Sequence, residues 1–305
     1  MVAGVDVIAY TGHTDPGGPA ARRDLDALSI TKVSVGPMDN NAYVLVCRAT
    51  GEALLIDAAN DPDRLVDAIG SGPKRPDLRH IVTTHRHFDH WQALGAMKGM
   101  FEARTIAHPL DAPELPVPVD ELVDHGDQVR FGEITLDVVH LRGHTPGSIA
   151  LIYRDDERPH VFTGDSLFPG GVGKTNSPED FTSLINDVEE RIFAALPDET
   201  WVYPGHGDDT TLGEERPHLG DHGDVVLDGP THPAAGRITP RDPRTSAGPR
   251  PLRRSTVVIT AVARGVRPFQ LRVTGGCRGD AGSTACRTRD RAHRRRAGLR
   301  ECSRR

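Results

Sequence analysis

The 305-residue chain has no run of about 18 apolar residues, so no segment reads as a membrane-spanning helix. Its first ten residues, Met1 to Tyr10, lack a basic start, a long apolar stretch and a small-residue cleavage site, which argues against export and predicts a cytoplasmic protein. Cysteine is scarce. Cys47 stands alone in a β-like run, where a buried free thiol is ordinary. Cys277, Cys286 and Cys302 match no zinc spacing and are too few and too odd in number for a disulfide framework. Aromatic residues make up only 5%. No serine or cysteine occupies a recognisable nucleophile setting. Gly170 to Thr175 looks like a phosphate loop, but the pattern needs a glycine where Phe168 stands, and Asn176, Ser177 and Pro178 intervene before the next helix. Nucleotide hydrolysis is therefore not supported.

Charge is present but unevenly divided. Residues 1–220 hold 18 basic and 36 acidic residues, whereas residues 221–305 hold 19 basic and 7 acidic, so the formal net charge of −6 averages two dissimilar segments. The second segment has no lysine, one aromatic residue (Phe269) and abundant Pro and Gly, with Ser255–Thr260 as its one strand-like run. Such a composition buries too little apolar surface to offset chain entropy, which predicts a disordered Arg-rich tail. Arg294–Arg296 and Arg304–Arg305 could contact nucleic acid or another acidic partner by charge alone. The tail also reads like translation of a GC-rich gene past a frameshift. The acidic body itself makes an anionic polymer such as RNA a poor substrate.

Three parts follow: an extended lead-in over 1–27, a catalytic domain over 28–220, and the tail over 221–305. Within the domain, Lys32–Val35, Tyr43–Val46 and Ala53–Ile56 read as strands separated by turn residues. Asp61 and Pro62 predict the N-cap and first residue of a helix through Ile69. Arg79–Thr84 reads as a strand and Phe88–Met97 as a helix. Strands follow at Ile134–Leu141, Ile149–Tyr153, His160–Thr163 and Thr200–Tyr203, with a helix from about Ser177 to Leu196 capped by Ser177. Strands with interspersed helices predict an α/β or α+β domain of two sheets flanked by helices.

The chemistry-bearing residues cluster at strand ends. His85-Arg-His87-Phe-Asp89-His90 directly follows the strand ending at Thr84. Three imidazoles and a carboxylate within six residues can point into one cleft, and borderline metals such as zinc favour these ligands. His85 and His87 alternate to one side of an extended segment, while Asp89 and His90 come around the turn toward a second position. Gly143-His144-Thr-Pro-Gly147, Thr163-Gly-Asp165-Ser166 and Tyr203-Pro-Gly-His206-Gly207 each add one ligand beside glycine. Seven ligands suffice for two metals. His13, His80, His108, His125, His140, His160 and His218 fit no part of this pattern and read as structural or solvated.

The ordered set HxHxDH, GHTPG, GDS and PGHG resembles the metallo-β-lactamase fold superfamily, and within it the glyoxalase II (hydroxyacylglutathione hydrolase)-like hydrolases, over roughly residues 28–220. The resemblance implies an αββα sandwich of two mixed β-sheets flanked by helices. It implies one metal held by His85, His87 and His144, a second by Asp89, His90 and His206, and Asp165 bridging them. It also implies that Asp57, at the end of Leu54–Ile56, accepts the outer N–H of a ligand imidazole, although a turn aspartate before a helix reads the same way. Lys174, after the bridging acid, corresponds to a lysine that binds the glutathione moiety of a thioester. The family's tyrosines have no counterpart, since Asn176 and Asp208 stand at those spacings, and its C-terminal helical domain is not recognisable.

The expected cofactors are two divalent ions, zinc first, with iron or manganese as alternatives. Metals about 3.5–4 Å apart can bring a bridging water to a pKa of roughly 7, and Asp89 and Asp165 would orient the resulting hydroxide toward a carbonyl. The expected reaction is hydrolysis of a small-molecule thioester, lactone or other activated ester. A competing expectation is a persulfide dioxygenase, which shares the fold and motif but binds one iron through two His and one Asp. Tail-mediated binding to an acidic partner is a third.

Overall fold

The computed structural model describes residues 5–71 and 76–220. The expected tail, with its cysteines, its arginine clusters and the Ser255–Thr260 strand, lies outside the described residues.

The first sheet takes its eight strands in chain order: β1 (Val7–Ala9), β2 (Ala20–Asp24), β3 (Leu28–Val35), β4 (Asn40–Cys47), β5 (Glu52–Ile56), β6 (Asp77–Val82), β7 (Arg104–Ala107) and β8 (Glu121–Leu122). β2 to β5 pair antiparallel, and β5 to β8 pair parallel, so the sheet is mixed. The segment read as a lead-in thus carries two strands. Crossovers that return a chain to the same edge require a connection of some length. Helix α1 (Pro62–Gly70) provides it between β5 and β6, and α2 (Leu94–Phe101) between β6 and β7.

The second sheet has the order β16-β15-β12-β11-β10-β9, with β9 (Gln128–Phe131), β10 (Ile134–His140), β11 (Ile149–Arg154), β12 (Pro159–Gly164), β15 (Trp201–Pro204) and β16 (Thr210–Thr211). A small hairpin, β13 (Leu167–Phe168) with β14 (Gly171–Val172), follows β12. β12 and β15 are parallel, joined across α3 (Pro178–Val188), and the other pairs are antiparallel. A short helix α4 (Leu212–Glu215) succeeds β16.

Every residue of β3 and β4 is buried, because the first sheet is covered on both faces. Near-continuous apolar runs such as Tyr43-Val-Leu-Val46 are what such a position selects. One face meets the second sheet through Leu28, Ile30, Leu45, Leu54, Leu136, Leu151 and Phe162. The other packs under α1 and α2 through Val44, Leu55, Ile81, Leu65, Ile69, Leu94 and Met97. The second sheet's outer face meets α3 and the turn after it through Val139, Ile152, Val161, Leu184, Val188 and Ile192. The layers are therefore helix, sheet, sheet, helix, as the motif resemblance implies.

Local chemistry differs from expectation at two helices. Asp61 stands before α1 with φ +46° and makes no side-chain cap; its carboxylate instead accepts the Gly36 backbone N–H at 2.9 Å, pinning the β3–β4 turn. The stretch expected to be one helix from Phe88 divides into a 3-10 turn over Phe88–His90 and the separate helix α2. Between them, Gln92 and Ala93 donate backbone N–H groups to Ala59 and Ala58 carbonyls, which diverts the chain from helical geometry. Ser177 does cap α3, its hydroxyl accepting the Asp180 N–H at 3.1 Å, but the α-helix ends at Val188 and continues as a wider π turn over Glu189–Phe193.

Candidate metal centre

Parallel pairing of β5 with β6, and of β12 with β15, points the carboxyl ends of these strands to one rim, where ligands of open α/β sheets gather. Asp57 follows β5, His85 follows β6, Asp165 follows β12 and His206 follows β15; His144 lies in the β10–β11 turn. The structure brings His85, His87, His144 and Asp165 into one group, and Asp89, His90 and His206 into another, with ligand atoms in each within 4.8 Å. Asp165 touches both: Oδ2 lies 3.4 Å from His144 Nε2 and 3.5 Å from His206 Nε2, and Oδ1 lies 3.4 Å from His90 Nε2.

The tautomers follow from what each outer ring nitrogen faces. His144 Nδ1 is 2.7 Å from the Lys174 carbonyl and His206 Nδ1 is 2.9 Å from the Met38 carbonyl; a carbonyl only accepts, so both Nδ1 atoms carry the proton. His90 Nδ1 donates likewise to Asp57 Oδ2 at 2.9 Å. His85 Nδ1 lies 3.0 Å from the Thr84 hydroxyl, whose own proton goes to Asp57, so it donates too. Four Nε2 lone pairs are left facing the cleft. His90 Nε2 and His206 Nε2, both bare, stand 3.1 Å apart, and His87 Nδ1 stands 2.9 Å from the bare His144 Nε2. His85 Nε2 and Asp165 Oδ1 are buried with no hydrogen-bond partner. Acceptors this close repel unless a proton or cation lies between them, and buried polar groups are otherwise satisfied. The donor set therefore fits divalent ions.

The electrostatics agree. Burial disfavours charge on His206, yet hydrogen bonds to Asp165 and Asp89 raise its pKa to about 9. His90 is likewise lifted well above its ordinary value by Asp165 and Asp57 against the cost of burial. Burial opposes ionisation of Asp165 too, but His90 and the neighbouring imidazoles hold its carboxyl well below the usual range. The side of the cleft around His90, His206 and Asp165 favours positive charge, which ions can supply in place of protons, whereas burial and the neighbouring imidazoles push His85 and His87 down.

A third group, His108, Asp124 and His140, shows the opposite pattern. His108 Nδ1 accepts the Leu110 N–H at 3.2 Å, so its Nε2 keeps the proton and donates to Asp124 Oδ1 at 3.2 Å. The His108 and His140 rings stack at 4.0 Å and 28°, and His140 Nε2 donates to the Pro146 carbonyl at 2.8 Å. This is a hydrogen-bonded cluster rather than a ligand set.

Asn40 and Asp111 support the cleft without a distinctive sequence signal, whereas Asp57 and Lys174 were expected near it. Asn40 Nδ2 donates to Asp89 Oδ2 at 3.0 Å. Buried Asp111 accepts from Arg86 N, Gly147 N and the Thr145 hydroxyl, joining the HxHxDH segment to the GHTPG turn. Lys174 contributes its backbone carbonyl to His144, while its side chain is exposed. Asp57, at φ +57°, accepts from Thr84 N, the Thr84 hydroxyl and His90 together. Gly205 must lack a side chain: a Cβ there would lie 2.1 Å from Asp165 Oδ1 and 2.8 Å from His90 Cε1.

Residues 35–206, from the end of β3 to the last histidine of the cleft, match the Metallo-beta-lactamase superfamily. The chain belongs to this superfamily. Among curated relatives, a hydroxyacylglutathione hydrolase of Polaromonas sp. (strain JS666 / ATCC BAA-500) is 34% identical over 168 residues, covering 55% of this chain and 62% of that protein. Among solved structures, the BLEG-1 B3 metallo-beta-lactamase is similar at a TM-score of 0.56 and 29% identity, covering 64% of this chain and 100% of the other. ETHE1 from Myxococcus xanthus is similar at a TM-score of 0.56 and 30% identity, covering 63% and 83%. Among the described residues, no helix of this superfamily member is long and apolar enough to cross a membrane.

Proposed function

We propose that the protein is a metal-dependent hydrolase that cleaves a small-molecule thioester or other activated ester or lactone. The observation that carries this reading is the convergence of imidazole nitrogens and the Asp89 and Asp165 carboxylates in one cleft, with His85 Nε2 and Asp165 Oδ1 buried and unpartnered. His85, His87 and His144 would hold one ion, and Asp89, His90 and His206 the other, with Asp165 shared. Zinc suits this N/O set, and iron or manganese also would.

When bound, such ions supply hydroxide at neutral pH and polarise a carbonyl. The chain's own residues do the rest. Asp165 and Asp89 would orient the attacking oxygen, and Asn40 fixes the Asp89 carboxylate. The carbonyls of Lys174 and Met38 and the carboxylate of Asp57 lock His144, His206 and His90 in the ligating tautomer. The exposed Lys174 ammonium stands on the segment that binds His144 and is available to a substrate carboxylate.

The likeness to a hydroxyacylglutathione hydrolase supports thioester chemistry. The likeness to ETHE1 favours a second reading, a mononuclear iron persulfide dioxygenase. Metal analysis of purified protein combined with a panel of thioesters, lactones and a persulfide separates them. About two zinc per chain with thioester or lactone turnover is the expected result. One iron per chain with oxygen uptake on a persulfide would replace the hydrolase.

A further inference from the structure

Lys32 is fully buried in β3, an uncommon place for an ammonium group, and all three of its protons are used. It donates to the Gly12 carbonyl at 2.8 Å, the Gly207 carbonyl at 2.7 Å and Asp209 Oδ1 at 2.7 Å. Asp209, equally buried, takes the Tyr10 hydroxyl at 2.5 Å and the Trp201 indole N–H at 2.8 Å on its other oxygen. Replacing a buried ion pair by neutral groups of similar volume is often harmless to stability, so stability alone does not explain the pair.

Its position suggests what does. Gly207 directly follows His206 and adopts φ +66°, and its carbonyl receives both Lys32 Nζ and Asn41 Nδ2, the latter at 2.9 Å. Asn41 and Tyr43 also donate to the Pro204 carbonyl, at 3.0 and 2.7 Å. The Pro204–Gly207 turn is thus clamped on both sides of His206. Lys32 is the charged member of the clamp, and it ties the N-terminal segment to the same turn directly at Gly12 and, through Asp209, at Tyr10. Gly205 packs against Asp165 and His90 with no room to spare, so a shift of this turn moves His206 directly against the ligand group it faces.

We propose that Lys32, with Asp209, is a positioning residue that sets affinity for the ion shared by Asp89, His90 and His206, acting through the Gly207 carbonyl. The inference rests on the two-ion reading above. It places a determinant of one ion's affinity in a strand that contributes no ligand.

The test is cobalt titration of metal-free protein followed by visible absorption, with metal content after dialysis and the melting temperature of the metal-free form. The variants are Lys32→Met and the neutral pair Lys32→Met/Asp209→Asn, in which Asn still accepts from Tyr10 and Trp201. Both are expected to bind one ion as the wild type does and the second at least tenfold more weakly, with the double variant melting within a few degrees of wild type. A purely structural role predicts instead that restored stability restores the second ion. Two unaltered affinities in the double variant, or equal weakening of both ions, would overturn the inference. Wild-type protein that binds no pair of ions would overturn it together with the reading it rests on. If Lys32→Met alone does not fold, the double variant decides.

Discussion

Gly205→Ala isolates the geometry of the cleft from the rest of the fold. Gly205 does not adopt a positive φ, so alanine meets no torsional strain there. Its Cβ would instead stand 2.1 Å from Asp165 Oδ1, 2.8 Å from His90 Cε1 and 3.2 Å from the Gly164 carbonyl carbon, where ordinary contact begins near 3.4 Å. Relieving the first contact needs a separation of more than 1 Å between the His206 turn and the Asp165 carboxylate. Misplacement of about 1 Å can cost on the order of 100-fold in a positioned reaction. The expected outcome is loss of roughly 100-fold or more in kcat/KM on whichever substrate the panel identifies, with at least one ion per chain lost on dialysis. Gly207→Ala is the matched control. It meets nothing within 4 Å but requires φ +66°, so it should cost roughly 1–2 kcal/mol of stability while disturbing the ligands less than Gly205→Ala does. Activity and ion content of Gly205→Ala within threefold of wild type would refute the reasoning, because they would mean that the turn has slack which the packing denies.

Two further outcomes follow from the hydrogen bonds and charges. Asp57→Asn removes the negative acceptor of His90 Nδ1–H and should weaken ion binding by about 10–100-fold, read by competition with a chelator; unchanged affinity would make Asp57 a turn residue only. Burial, with Arg23 and Arg158 adding to it, pushes the pKa of His160 down to about 3, whereas the unfolded ring titrates near 6.5. Between those values the unfolded chain binds a proton the native ring refuses, so stability present above pH 6.5 falls as pH falls, by at most about 1.4 kcal/mol per unit from this group. Urea unfolding at pH 7 and pH 5 should therefore show a shallower acid loss in His160→Gln than in wild type, and equal losses would count against the assignment.

The readable part of the cleft is the part made of contiguous residues. HxHxDH, GHTPG, GDS and PGHG carry their chemistry within a few positions, and Ser177 announces the cap it makes because Ser–Asp180 contact is local. What was not legible depends on partners far along the chain. Asp61 has the residue type and Pro62 neighbour of an N-cap, yet the Gly36 N–H competes for its carboxylate from 25 residues away and wins. Asp111, Asn40 and Lys32 look like ordinary turn or strand residues until the Thr145, Asp89 and Gly207 groups arrive beside them.

By itself, the order of apolar runs and turn residues pointed to two sheets flanked by helices, since strands interspersed with helical segments bury their apolar faces in that way. The residue types and their attachment to strand ends pointed to a cleft that could hold metal ions as the use of seven such side chains. Which nitrogen of each imidazole faces inward was decided only by the tertiary structure, because tautomer depends on what the other nitrogen meets. The same holds for the clamp on the His206 turn and for the dismissal of His108, Asp124 and His140. Their residue types alone suit a metal; the Leu110 N–H and the stacked rings, brought together by folding, say otherwise.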